Sequence, residues 1–379
     1  MKKTITLDAT PFIFNFGGVG RATQTLFETM LGCDSEFEFN LYARCLKGKS
    51  IDCPSDVKRM RRLRLPKKAE PLIARLGLIE RLVSADLYHA TDHYLPLNKP
   101  EKSVVTIHDL LFMVRPEAGW GIHDHQRKVV PPFAKQCRQI ITCSEYTKKD
   151  IVNELHVSPE LIHVIPWGID RDTFKPVRDQ QQLIDYQTKE LGITYPYFLA
   201  VGCNMDRKNT PKLLAAYEQI IKDSPNNHLV LVWDPPAPIR EKYSRPPYSD
   251  YIHFTGRVSE EALVALYQGA TSTVYPSDYE GFGLPVLESL ACGSPIITSD
   301  RSSLPEVGGD VAIYVNPDDV SSIRDAMLEF ENGNLPIFGS TVNAKLPMTP
   351  STAAISVTAS NYTSELLELC RVNVLNSDY

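Results

Sequence analysis

No apolar run in this 379-residue chain approaches the roughly 20 residues that a spanning helix needs. A polytopic membrane protein is therefore excluded. The opening Met1-Lys2-Lys3-Thr4-Ile5-Thr6-Leu7-Asp8 is too brief and too soon acidic to be expected to act as a secretory leader. The eight cysteines (33, 45, 53, 137, 143, 203, 292 and 370) form no C-x-x-C pair and stand beside no histidine cluster. A zinc site is not expected, and reduced thiols in a cytoplasmic protein are. No D-x-D pair closes a strand-like run, and no short tandem repeat is present. Nor is there an excess of basic residues: the net charge is −6, against the footprint that nucleic-acid binding needs.

What is present is an ordinary soluble mixture, 43% apolar and 23% charged, in a chain long enough for two or three domains. The charge is split. Residues 1–176 carry a net +5 and residues 177–379 a net −11, which suggests two domains with different partners. Strand-like runs alternate with helical patterns. They include Ile5–Leu7, Phe37–Tyr42, Ala85–His89, Val104–Ile107, Gln139–Thr142 and Ile162–Ile165. The series restarts with Tyr197–Val201, His228–Trp233, Ile252–Phe254, Ser272–Tyr275, Pro295–Thr298 and Ala312–Val315. Such alternation predicts parallel sheets covered by helices. The fold class is α/β, with one doubly wound domain at 1–175 and another at 176–360. The polar stretch 170–191 reads as the linker and 332–352 as a long loop. A short amphipathic helix within 361–379 closes the chain, and whether it returns to the first domain stays open.

The most informative segment is Tyr275-Pro276-Ser277-Asp278-Tyr279-Glu280-Gly281-Phe282-Gly283-Leu284-Pro285-Val286-Leu287-Glu288. A strand ends, a loop carries an acid and two glycines, and Pro285 opens a helix, where proline is favoured. The glycines admit close approach of backbone N–H groups, and a helix N-terminus favours anionic oxygens. Glu280 sits in the loop. Glu288 sits about one turn into the helix, towards the same mouth. Two acceptor-only carboxylates beside a phosphate site suit a polyhydroxylated ligand. A helix cap with a solvated glutamate is the plainer reading.

Val201-Gly202-Cys203-Asn204-Met205-Asp206-Arg207-Lys208-Asn209 follows the first strand of the second series. Gly202 permits close approach, and Arg207 and Lys208 bring fixed and mobile positive charge for a diphosphate. A solvated helix start would look the same. Phe16-Gly17-Gly18-Val19-Gly20-Arg21-Ala22-Thr23 follows the first strand of the chain. Thr23 replaces the third glycine of a dinucleotide fingerprint, and no acid ends the next strand, so an NAD site is not supported. His108 and Asp109 close the strand-like run from Val104. Neighbours on an extended chain point oppositely, so they are not read as a dyad. His89, Asp92 and His93 could line a ligand or merely cap a helix. From Lys58 to Arg81, nine basic residues stand against two acids among leucines and isoleucines, a net +7. That mixture is either a solvated face or a surface for anionic lipid.

Glu280 and Glu288 resemble the E-x7-E signature of family 4 glycosyltransferases, which are retaining, nucleotide-sugar-dependent enzymes of GT-B fold. Ala291-Cys292-Gly293-Ser294-Pro295-Ile296-Ile297 and Ser302-Ser303-Leu304-Pro305-Glu306-Val307 resemble the segments that follow it. The sequence is similar to bacterial mannosyltransferases of polysaccharide and O-antigen synthesis, over most of residues 1–330. The resemblance implies two Rossmann-like domains facing a central cleft, the acceptor on the first and the donor on the second. It implies retaining transfer of mannose or a related hexose from a nucleotide-sugar, GDP-linked, to a glycan or polyprenyl-linked glycan. No metal or other cofactor is implied, and the protein would work in the cytoplasm or at the inner membrane face. Glu280 would contact the donor sugar and Glu288 the ribose. Arg207, Lys208 and Gly202, with the helix start at Gly281, Phe282, Gly283 and Leu284, would hold the diphosphate. Gly17, Gly18 and Gly20 would form a loop across from it. His108 would donate a hydrogen bond to the sugar, and Val258, in Phe254-Thr255-Gly256-Arg257-Val258, would lie by the nucleobase. His108, Arg207, Lys208 and Glu280 are the expected catalytic residues.

Two departures stand out. Val232-Trp233-Asp234-Pro235-Pro236 replaces a glycine-bearing loop near the base. The stretch 332–360 lacks the long helix and aromatic motif usual before the terminal helix. A nucleotide-sugar epimerase or hydrolase of the same fold, and a non-catalytic scaffold, remain as alternatives. The presence of Arg207, Lys208, Glu280 and Glu288 together speaks against the scaffold.

Overall fold

The computed structural model describes residues 2–14, 18–32, 37–44, 59–64, 66–116, 122–223, 225–332 and 368. The chain divides into two compact units, and the break falls between Gly168 and Ile169.

The first unit is built on a seven-stranded sheet in the order β3-β2-β1-β4-β5-β6-β7. Its strands are β1 (Lys3–Asp8), β2 (Phe37–Arg44), β3 (Arg59–Leu63), β4 (Leu87–Ala90), β5 (Ser103–Thr106), β6 (Gln139–Thr142) and β7 (Ile162–Val164). Every pair is parallel. Strands such as β4 and β5 are buried along their whole length, so they read as short apolar runs without alternation. The chain winds outwards from β1 to β3 and then returns to the other side of β1. The carboxyl ends of β1 and β4 thus flank the switch in strand order, where doubly wound sheets bind ligands.

Two features of this unit differ from the sequence reading. β3 was hidden inside the basic run. It is the end strand of the described sheet, paired with β2 from Asn40↔Arg59 to Arg44↔Leu63, and its run of arginines masks the strand pattern in the sequence. Gly18 and Gly20 are not in a loop: they form the first turn of the helix Gly18–Gly32. Gly17 lies outside the described residues. After β3, two short helices, Glu70–Arg75 and Leu78–Leu82, meet at Gly77, whose φ of +56° is left-handed and suits glycine.

The second unit is built on a six-stranded parallel sheet ordered β10-β9-β8-β11-β12-β13. Its strands are β8 (Tyr197–Val201), β9 (His228–Val232), β10 (Ile252–Phe254), β11 (Ser272–Tyr275), β12 (Ile296–Ser299) and β13 (Ile313–Val315). Here the switch lies between β8 and β11. One face is covered by the helices Thr210–Ile220 and Val320–Glu331, which bury Leu213, Leu214, Tyr217, Ile323, Met327 and Phe330 together with Phe198 and Leu229 of the sheet.

The unit boundary lies earlier than residue 175. Residues 169–176 belong to the second unit because Phe174 is buried, its ring centroid 6.5 Å from that of Tyr267. The Lys175 carbonyl also accepts a 2.7 Å hydrogen bond from the Gln268 side chain. The stretch read as a linker contains a helix, Gln180–Glu190, capped by Asp179, whose carboxylate accepts from the Gln182 N–H. Its anchors are Leu183 and one buried amide: Gln187 Nε2 donates to the Ala265 carbonyl at 2.9 Å and lies 2.9 Å from the Tyr197 hydroxyl. An anchor that is polar leaves little amphipathic signal. The loop expected at 332–352 and the terminal helix expected within 361–379 lie outside the described residues, apart from Asn332 and Glu368.

If Phe174 seats the start of the second unit, Phe174→Ala should cost about 3 kcal/mol, within the range for truncating a buried phenylalanine. Urea denaturation followed by circular dichroism measures it. A change below ~0.5 kcal/mol would place Phe174 outside the core.

Candidate active site

The switch between β8 and β11 sets the ends of these strands side by side, and each continues into a loop bearing charge. After β8 the backbone turns at Gly202, with φ +70°, and forms one tight turn at Asp206–Lys208. Asn209 follows at φ +58° and is pinned there by a 2.6 Å hydrogen bond from its Nδ2 to the Pro317 carbonyl. The β11 loop is tied to this turn by the Asp278 N–H, which donates to the Arg207 carbonyl at 2.7 Å. Arg207 Nη1 donates in return to the Tyr279 carbonyl at 3.0 Å.

A third loop, after β12, fixes the backbone of Glu280. Its N–H donates to Ser302 Oγ at 2.9 Å. Ser303 Oγ lies 2.9 Å from the carbonyls of both Glu280 and Phe282. Ser302 holds φ +53°, a region that costs a non-glycine residue roughly 1–3 kcal/mol and is retained where surroundings enforce it. Gly283, at φ +104°, caps the helix Leu284–Ala291. A Cβ there would stand 2.6 Å from Leu304 Cδ2, so glycine is required.

The Glu280 carboxylate is 5% exposed and fully engaged. One oxygen pairs with Arg207. The other lies 2.6 Å from Lys208 Nζ, 2.7 Å from the Tyr275 hydroxyl and 2.8 Å from Ser277 Oγ. Burial alone would raise its pKa. The charges of Arg207 and Lys208 outweigh burial and hold it down at about 2, so it is ionised at neutral pH. Lys208 Nζ also packs over the Tyr275 ring, 4.5 Å from its centroid. Burial lowers the Lys208 pKa to about 8; Glu280 opposes that shift and Arg207 adds to it. Gly202 borders the same lysine: a Cβ at 202 would lie 3.5 Å from Lys208 Cε.

Arg207, Lys208, Glu280 and Gly202 are therefore brought together, with Gly281, Phe282, Gly283 and Leu284 leading from Glu280 into the helix. Glu288 lies further along that helix. It is buried and accepts a 2.8 Å hydrogen bond from the Tyr267 hydroxyl. Its charge still reaches Tyr275, whose phenol is pushed well up, first by burial and then by Glu280, with Glu288 adding. Val258 is half-buried just before Ser259, which caps the helix Glu260–Gly269. Its loop is joined to the one after β9 by the Gly256 N–H, which donates to the Trp233 carbonyl at 3.1 Å.

In the first unit, His108 ends β5's extension and is buried. Its Nε2 lies 2.7 Å from the Thr91 carbonyl, a partner that can only accept, which assigns the Nε2–H tautomer. Burial lowers its pKa to about 4, so Nδ1 carries a lone pair, and it has no partner among the described residues. The donating nitrogen of His108 is thus taken up by the Thr91 carbonyl, and Nδ1 is the acceptor nitrogen in this tautomer. His93, paired with Asp92, behaves oppositely. Asp92 and Asp109 overcome the effect of burial and raise it to about 9, so it is an imidazolium.

Sequence reasoning missed the roles of Tyr275, Ser302 and Ser303, and one further cluster. Glu70, which opens the helix Glu70–Arg75, is buried. One of its oxygens pairs with Arg44. The other meets the Tyr94 hydroxyl and, at 2.6 Å, His125 Nε2. Asp8 stands nearby at the end of β1, its pKa raised by burial to about 6. Four residues from four segments carry no local motif that could announce them.

Residues 16–173 match the family model described as Glycosyltransferase Family 4. Residues 185–337 match that described as Glycosyl transferases group 1. The chain belongs to these glycosyltransferases, of GT-B fold. Among similar proteins, the O-antigen chain mannosyltransferase B of Escherichia coli is 30% identical over 253 residues, which is 64% of this chain and 64% of that protein. The MMP alpha-(1->4)-mannosyltransferase of Mycolicibacterium hassiacum is 30% identical, over 54% of this chain and 47% of that protein. O-antigen chain mannosyltransferase RfbU of Salmonella typhimurium is 29% identical, over 68% of each. The matches thus span about half to two thirds of these relatives. Among solved structures, sucrose-phosphate synthase from Thermosynechococcus elongatus superposes with a TM-score of 0.75 at 18% identity, covering 99% of this chain and 100% of that one. A glycosyltransferase from Rickettsia africae gives 0.72 at 15% identity, covering 99% and 100%. At such identities the likeness is one of fold.

Proposed function

We propose that the protein is a retaining hexosyltransferase of polysaccharide or O-antigen synthesis. It moves mannose, or a related sugar, from a GDP-linked donor to a glycan or polyprenyl-linked glycan at the cytoplasmic membrane face. The observation that carries the reading is the convergence of Arg207, Lys208 and Glu280 at the switch point of the second sheet. Two cations suit a diphosphate, and a buried carboxylate suits sugar hydroxyls. The names of the similar mannosyltransferases support the choice of sugar. As the sugar–phosphate bond breaks, negative charge grows on the leaving diphosphate, and fixed cations stabilise it. Arg207 and Lys208 supply the charge that a metal would otherwise bring, so no metal is needed. Glu288 takes the ribose hydroxyls. The acceptor attacks from the face that the diphosphate leaves.

The test is incubation with GDP-mannose and a glycan acceptor, with and without EDTA, and proton NMR of the product. An α-linked product formed in the presence of EDTA is expected. Free sugar, an epimerised donor, or no reaction with any nucleotide-sugar would overturn the reading. The pH profile is a second check. Lys208 has a lowered pKa, so in the folded protein it loses its charge as pH climbs through about 8. The profile of kcat/KM reports the free enzyme and should fall about tenfold per pH unit above that point. Lys208→Arg keeps its charge and should shift this limb upwards. A limb unmoved by the substitution belongs to another group.

Membrane contact is proposed for the two short helices after β3. No helix among the described residues is long and apolar enough to cross a membrane. Leu72, Leu76 and Leu82 are 53%, 41% and 40% exposed, and Arg64, Lys68, Arg75 and Arg81 are exposed beside them. This pattern fits the headgroup boundary of an anionic bilayer, worth about 1 kcal/mol per basic residue. Phosphatidylglycerol vesicles should sediment the protein at low salt. Replacing those four basic residues by glutamine should weaken binding on the order of a hundredfold, allowing for screening. Failure of the unsubstituted protein to sediment would make this a solvated face.

A further inference from the structure

Arg207 and Lys208 direct their charge onto a single acid. A carboxylate that offers one oxygen to a guanidinium and the other to an ammonium makes the contact a phosphate group makes: paired anionic oxygens against fixed donors. Glu280 makes that contact within the chain. Nor can it easily withdraw. Its N–H is held by Ser302 and its carbonyl lies against Ser303, while Tyr275 and Ser277 crowd the oxygen that faces Lys208.

We infer that Glu280 competes with the donor's diphosphate for Arg207 and Lys208, and that this competition expels the nucleoside diphosphate once the sugar has been transferred. The inference rests on the reading that these two cations hold the diphosphate. An intact nucleotide-sugar brings substitutes for what it displaces: its phosphates take the cations, and its sugar hydroxyls donate to the released carboxylate. After transfer the hydroxyls depart with the glycan. The carboxylate is then left with only the neutral donors Tyr275 and Ser277, and a buried carboxylate stripped of its cationic partners is costly. It reclaims Arg207 and Lys208, and the diphosphate loses them. No covalent bond changes in this step; ion pairs are exchanged. The site thereby favours the intact donor over the spent nucleotide, although both carry the same diphosphate.

The experiment is isothermal titration of the full chain with GDP and with inorganic pyrophosphate, which needs no base recognition, at low and high salt. Glu280→Gln keeps the shape and removes the charge. It is expected to bind both probes at least tenfold more tightly than the unsubstituted protein, at both salt levels, and to release GDP more slowly in stopped flow. Its turnover should fall, because a neutral amide is a weaker partner for the sugar. A residue that merely stabilised the loop would weaken both probes when replaced. Should Glu280→Gln fail to fold, Glu280→Asp, whose shorter carboxylate cannot span both cations, should tighten both probes by a smaller factor. Arg207→Gln and Lys208→Gln separate the two ideas. If either leaves pyrophosphate and GDP binding unchanged, the reading of the cations themselves fails. If both weaken binding but no Glu280 variant tightens it, the competition is overturned and the cation reading stands.

Discussion

A buried carboxylate must be paired or it destabilises the fold, and the second unit is arranged around that constraint at Glu280. Three loops, each leaving the carboxyl end of a different strand, converge on this one residue. The loop after β8 brings Arg207 and Lys208. The β11 loop brings Ser277 and Glu280 itself, beside the strand's last residue, Tyr275. The loop after β12 brings Ser302 and Ser303 against its backbone. The switch in strand order makes β8 and β11 neighbours although more than 70 residues separate the two partners in sequence. The positive φ values at Gly202, Asn209, Gly283 and Ser302 all fall in these loops. Asn209 and Ser302 are the non-glycine residues among them, so the backbone strain they carry sits beside the charged cluster.

The first unit solves a similar problem differently. His108 and His89 are neutral, held well below the usual imidazole range by burial, while His93 is kept charged by Asp92. Glu70 gathers Arg44, Tyr94 and His125 beneath the start of a helix whose outer side exposes Leu72, Leu76 and Arg75. The helix's inward end is therefore fixed by an ion cluster, while its outer face stays apolar and basic. The anchor matters because six residues alone would not hold a helix in water.

What the sequence revealed follows from where each signal originates. Central parallel strands are buried on both faces, so Tyr197–Val201, Ser272–Tyr275 and Gln139–Thr142 stand out as apolar runs and form at those residues. β3 escaped notice because an edge strand can carry arginines. The helix Gln180–Glu190 escaped because its chief anchor is a glutamine. The unit boundary moved because Phe174, within a polar stretch, is captured by Tyr267. The site followed the same logic. Arg207, Lys208, Glu280 and Glu288 lie in compact segments that carry a family signature. Tyr275, Ser302 and the Glu70 cluster acquire their roles only through proximity in space. The sequence motif singles out His108, but its tautomer depends on the Thr91 carbonyl, 17 positions away, which no local pattern encodes.

The distribution of charge ties these parts together. The half of the chain that would bind an anionic donor carries a net −11, which at first sight opposes the task. Exposed charges beyond about 10 Å are largely screened at ordinary ionic strength, so the overall sign weakly affects a site whose cations touch their ligand. In the proposed donor site, binding would be decided by the two cations, both already tied to the Glu280 carboxylate. An acidic surface around them disfavours adventitious anions elsewhere on the unit. The basic half meets the opposite demand. At the proposed membrane face, attraction to a bilayer would scale with the number of exposed basic groups, and Arg61, Arg64, Lys68, Arg75 and Arg81 are exposed there. One half therefore concentrates a small number of cations around a buried acid, and the other spreads many over a surface.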